Sequence, residues 1–127
     1  MLNALKAKEI LSNFKGKDQI CKSFTEKIKN CLEEETNSLW DKYIEFMTIK
    51  ALGSDTGLNN QMKYSTSCEM EELWYYHVLC TELYQEFMVL VNEINPLVDF
   101  IHPSLMLLQD TEESKEKRRE ATALAYQ

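Results

Sequence analysis

Met70, Leu73, Trp74, His77, Thr81, Tyr84, Met88 and Val91 recur at intervals of three and four, the spacing that places side chains on one face of an α-helix. A stripe of that length must be buried against other elements, and the rest of the chain is poorly suited to supplying strands. Only three Gly and two Pro occur in 127 residues, too few turn residues for a many-stranded protein. At this length, a hydrophobic fraction of 44% suits one core of ordinary size. The expectation is a single all-α domain over 1–127, a compact bundle of about five helices built around one long central helix from about Ser67 to Ile94. Thr66 with Glu69 fits a capping box at its start. Asn95-Pro96 stops it, because proline disfavours helical geometry in the residue before it.

The flanking segments read as shorter helices. Residues 2–14 form an amphipathic stretch with Ala7, Ile10, Leu11 and Phe14 on its apolar face, closed by Gly16. A helix from Asp18 to about Glu35 carries Ile20, Phe24, Ile28, Cys31 and Leu32 at helical spacing, with Glu33, Glu34 and Glu35 set against the macrodipole at its end. Ser38 caps the next helix, over 38–52, whose buried stripe is Leu39, Trp40, Tyr43, Ile44, Met47 and Ala51, and Gly53 ends it. Residues 54–63 lack periodicity and read as a loop. Residues 97–109 are apolar but interrupted by Pro103, giving two short turns over the core. A last helix follows Asp110 and runs to about Tyr126.

The net charge of −7 provides no global field toward nucleic acid or an anionic membrane. Its distribution is uneven. Residues 1–30 hold seven Lys against Glu9, Asp18 and Glu26, whereas residues 31–109 hold only Lys42, Lys50 and Lys63 against thirteen acids. Phosphate contacts must therefore be local. The cations placed for them are Lys6, Lys8, Lys15 and Lys17 near the start and Lys115, Lys117, Arg118 and Arg119 near the end. Of the last four, Lys115, Arg118 and Arg119 share one side of a helix, where they can meet successive phosphates. Glu112, Glu113, Glu116 and Glu120 surround them, so a salt-paired, solvated face is an equal alternative. The N-terminus has no run of signal-peptide length and no stretch is apolar enough to span a bilayer, which predicts a cytoplasmic protein.

Chemistry-bearing groups are sparse. Cys21, Cys31, Cys68 and Cys80 include no C-x-x-C pair, and free thiols among apolar residues behave as small core side chains. His77 and His102 are the only histidines. They either join Cys68 or Cys80 and Glu71 around a metal, or serve as a core histidine and a turn residue; their spacing favours the second. No nucleophile has an evident base or oxyanion partner. The expectation is a protein without catalytic residues, metal, cofactor or small-molecule substrate, acting as a monomer. In Trp74-Tyr75-Tyr76, successive residues lie ~100° apart on a helix, so with Trp74 in the core at least one tyrosine faces outward or toward another element. Tyr75 and Tyr76 are thus candidates for a protein contact.

The run STSCEMEELWYYHVLCTELYQEF, through Ser67, Glu71, Leu73, Trp74, His77, Leu79, Thr81, Tyr84 and Phe87, resembles the conserved domain of the glycine-rich domain-containing protein family. That pattern reads roughly S-x-x-[VM]-[DE]-x-[LM]-W-H-x-H-[IV]-L-x-T-x-x-Y. The segment DFIHPS resembles the following F-I-H-H-x-P, and Arg118, Thr122 and Tyr126 resemble its closing R-x-x-x-T-x-x-x-Y. Tyr43 and Phe46 suit its preceding helix. The resemblance covers about 40–127. Tyr75 replaces a family histidine, only His102 stands where the family has a pair, and the glycine-rich tail is missing. Among short members of this kind the chain resembles the ribosome-bound dormancy factors of microsporidia. The resemblance implies a non-enzymatic protein that occupies the tRNA exit site and holds the ribosome idle, touching rRNA phosphates and basic ribosomal proteins. The alternative is a helical protein-protein adaptor with a degenerate family metal site.

Overall fold

The structure, a computed structural model, describes residues 3–29, 33–53, 67–98, 101 and 112–126. Six α-helices and one π-helical segment hold most of these residues, and no strand occurs among them: α1 (Ala4–Ser12), α2 (Lys17–Phe24), the π segment (Thr25–Lys29), α3 (Glu33–Leu52), α4 (Cys68–Leu79), α5 (Thr81–Ile94) and α6 (Glu112–Ala125). The fold is all-α, as the periodicity predicts. The expected loop over 54–63, Thr66, Cys31, His102 and most of 97–109 lie outside the described residues.

Asn3 caps α1, its side chain accepting from the Lys6 backbone N–H at 2.9 Å and meeting one of the donors a helix start leaves free. Ala7, Leu11 and Phe14 are buried, as their spacing predicts, and Ile10 packs against them partly exposed. Gly16 joins α1 to α2 where there is no room for a side chain: a Cβ there would lie 2.6 Å from Phe14 Cζ and 3.0 Å from Leu83 Cδ2. From Gly16 the chain enters α2, which buries Ile20, Cys21 and Phe24 and widens into the π segment at Thr25. The Thr25 hydroxyl donates to the Cys21 carbonyl at 2.7 Å and lies 2.6 Å from the Thr36 hydroxyl, tying this segment to α3.

The structure differs from the expected architecture at two places. Glu33, Glu34 and Glu35 open α3 rather than close the preceding helix; at an N-terminus three carboxylates complement the macrodipole instead of opposing it. Ser38 therefore lies inside α3. The second difference is the central element. The run from 67 to 94 is two helices, broken at Cys80 (φ −83°, ψ 71°). The Cys80 N–H reaches back to the Tyr76 and His77 carbonyls at 3.2 and 3.1 Å, while its own carbonyl accepts from Tyr84 N–H at 3.0 Å. One helix thus closes and the next opens on the same residue. Ser67, one position after the expected cap, holds the start of α4 by accepting from Met70 N–H at 3.3 Å.

The longest helix is α3, of 20 residues, and it is the one that touches α1, α2, α4 and α5. Its burial is correspondingly wide, taking in Trp40, Tyr43, Ile44, Phe46, Met47, Lys50 and Ala51. At its C-terminus the Asn95 side chain donates to the Ala51 carbonyl at 2.9 Å, so the residue that stops α5 also satisfies the end of α3. No helix among the described residues is long and apolar enough to cross a membrane.

Candidate functional site

At the centre of the molecule His77 is fully buried among rings contributed by α3, α5 and the turn after α1. Phe14, Trp40, Tyr43, Tyr84 and Phe87 all have ring centroids within 5.8 Å of it, Tyr84 nearest at 4.9 Å and edge to face. Its Nδ1 shares a hydrogen bond of 2.8 Å with the Tyr43 hydroxyl. Nε2 has no hydrogen-bond partner; the Leu83 backbone is close enough to pull weakly toward protonation but makes no bond of ordinary geometry. Burial dominates and lowers the pKa from 6.5 to about 3, because a cation in this apolar setting loses its hydration without gaining a partner. The imidazole stays neutral, and its enclosure keeps it from exchanging protons with any substrate.

Beside this cage a second polar chain runs through the core. Trp74 Nε1–H donates to the Tyr84 hydroxyl at 3.1 Å, which donates in turn to the Ile101 carbonyl at 2.6 Å. Burial raises the pKa of both phenols, Tyr43 and Tyr84, so both remain proton donors throughout the neutral range. The Cys21 thiol, also buried, is pushed up from 9.0 to about 12. It is no nucleophile, since the thiolate is the reactive form.

The residues that carry the family resemblance divide between surface and interior: Ser67, Leu79 and Thr81 are exposed and Glu71 partly so, while the greater number are buried. Tyr43, Phe46, Leu73, Trp74, His77, Tyr84 and Phe87 are buried, and so are Arg118 and Thr122 on α6. Tyr126 is half exposed. Helical spacing groups Arg118 with the phosphate-facing cations; at 6% exposure it belongs instead to the face that α6 lays on the bundle, with the Thr122 hydroxyl donating to its carbonyl at 2.7 Å. The guanidinium Nε is buried along with the stem, which the charge of the side chain does not foretell.

The other candidate cations differ in how far they are already neutralised. Lys117 lies 3.5 Å from Glu113, and Arg119 lies 3.4 Å from Glu116, the salt-paired alternative for this helix. Lys8 pairs with Glu45 at 3.0 Å. Lys17 is half-buried and lines an open groove of about 410 Å³ with Lys8, Asp41 and Glu45. Lys6 and Lys15 are exposed, and the Lys115 side chain lies outside the described residues. Of the described candidates, Lys8 and Lys17 share that groove.

Tyr75 is exposed on α4, with Leu79 one turn on and 61% exposed. Tyr76 turns inward instead, hydrogen-bonded to the Ser23 hydroxyl and packed on Phe24 with centroids 5.7 Å apart. Of the two tyrosines only Tyr75 is free to meet a partner. One buried lysine is not foreseen from the sequence. Lys50 is fully buried, its Nζ 5.1 Å from the Trp74 ring centroid and 5.2 Å from that of Phe46, a cation–π arrangement. Its position three residues after Met47 on the α3 stripe is the one signal that could have found it.

Among the described residues no group of three His, Cys, Asp or Glu side chains is placed to hold a metal ion. The surroundings of His77 do not fit one either, with Nδ1 engaged by Tyr43 and aromatic rings packed around it. In comparisons with known proteins, no family model, no curated protein and no solved structure matches the chain.

Proposed function

We propose that the chain is a non-enzymatic ribosome-binding factor, akin to the glycine-rich domain-containing family, that occupies the tRNA exit site and holds the particle idle. The observation that supports this most is the burial of Tyr43, Trp74, His77, Tyr84 and Thr122. This interior part of the signature specifies a scaffold, and binding falls to the surface. That surface is divided by charge. No Lys or Arg occurs between Lys63 and Lys115, and Glu69, Glu72, Glu82, Glu86 and Glu93 on α4 and α5 are exposed. Such a face suits basic ribosomal proteins, while the lysines of the N-terminal third suit rRNA phosphate.

Sedimentation of tagged protein with purified ribosomes at low and high salt tests the proposal. Comigration at low salt that disappears at high salt is the expected result; no comigration under any condition removes it. A second function is supported by the outward pair Tyr75 and Leu79, which suits a helical adaptor docking on another protein. Binding of that kind survives removal of ribosomes and is abolished by Tyr75→Ala.

A further inference from the structure

A surface cation contributes to phosphate binding only to the extent that the protein has not already neutralised it, because affinity comes from releasing the counterions of the nucleic acid. Lys8, Lys117 and Arg119 each have a carboxylate within 3.5 Å. Arg118 and Lys50 are buried, and Lys17 sits in a groove with Asp41 and Glu45. Lys6, Lys15, Lys22, Lys27 and Lys42, by contrast, are exposed and make no ion pair among the described residues, and three of these, Lys15, Lys22 and Lys27, belong to one continuous stretch of chain. They follow one another along the turn before α2, α2 itself and the π segment.

We propose that the outer surface of α2 and the π segment, through Lys15, Lys22 and Lys27, is where this chain meets RNA phosphate, and that α6 is not. The proposal rests on the ribosome-binding function and assigns its RNA side to one surface. Burial of Ile20, Cys21 and Phe24 on the inner face leaves Lys22 pointing out, as its exposure shows. Between residues 15 and 29 the sequence has five Lys against Asp18 and Glu26, a net basic stretch in an acidic chain. The π segment adds a second, independent feature. π-helical segments are rare and recur at functional sites, and this one carries Lys27 beside Ile28, an apolar side chain 51% exposed that can rest on a sugar or base.

The test is the salt dependence of binding to purified vacant ribosomes, measured for the full chain and two variants whose helicity is first checked by circular dichroism. Removing one lysine–phosphate interaction flattens the slope of log K against log salt by about 0.7–0.9. Lys15→Gln/Lys22→Gln/Lys27→Gln should therefore flatten it by about 2–3, and Lys117→Gln/Arg119→Gln should leave it unchanged. If the first variant keeps the slope of the parent, the assigned surface is wrong while ribosome binding stands. If the parent itself binds at no salt concentration, the ribosome-binding function fails and takes the surface with it.

Discussion

His77 gives the fold a dependence on pH that its surface does not. With a pKa near 3 in the folded chain and about 6.5 unfolded, the unfolded state binds the extra proton throughout that interval. Its contribution is present in full above pH 6.5 and is lost progressively as pH falls toward 3. Denaturant titrations should show stability dropping by about 2 kcal/mol between pH 7 and pH 5, and His77→Phe should remove that slope. At high pH the sign reverses for the acids. Cys21, raised to about 12, keeps its proton when folded and loses it when unfolded, so stability falls as pH rises above about 9. The phenol of Tyr84 has a double role, and Tyr84→Phe leaves both Trp74 Nε1 and the Ile101 carbonyl without it. The expected cost is about 1–3 kcal/mol for each buried group left unmet, measured by urea unfolding. Burial of His77 is legible from its place in the stripe of Trp74 and Tyr84. Its pairing with Tyr43 is not, since residues 34 apart in sequence meet only once α3 and α4 are packed.

Helices are easier to place than their ends. The stripe through 70–91 keeps its period across Cys80, so periodicity shows one helix where the backbone makes two. The break turns Thr81 of the stripe out to solvent but returns Tyr84 to the apolar face, so it leaves little trace in a hydrophobic pattern. Glu33, Glu34 and Glu35 are misplaced by sequence for a related reason: apolar residues run on through Leu32 and carry the preceding helix with them. Their position at the start of α3 is the better one electrostatically. The turn between α1 and α2 depends on space rather than on backbone conformation. Gly16 has φ −83°, which any residue adopts, but its Cβ would meet the ring of Phe14, itself boxed in by Trp40, His77 and Phe87 at centroid distances of 5.9, 5.3 and 5.3 Å. Gly16→Ala should cost about 1–3 kcal/mol through overpacking, read as a lower midpoint in thermal unfolding.

For the molecule as a whole, the aromatic core joins the helices through shared packing rather than through separate clusters. Phe14 of the α1–α2 turn, Trp40 and Tyr43 of α3, Trp74 and His77 of α4, and Tyr84 and Phe87 of α5 are all buried together. Unfolding should therefore be one transition. Far-ultraviolet circular dichroism, which reports every helix, and the fluorescence of Trp40 and Trp74, which reports only the core, should trace superimposable curves; a helical signal that decays ahead of fluorescence would show that the bundle comes apart in stages. The chain of bonds from Trp74 through Tyr84 to Ile101 also supplies a clock for such openings. The indole proton of Trp74 is held in a fully buried ring by a partner that is itself locked to the backbone, so solvent deuterium can replace it only when the centre of the protein opens. Its exchange half-life in an NMR spectrum should match that of the slowest backbone amides, making one nitrogen-bound hydrogen a direct gauge of how often this core comes apart.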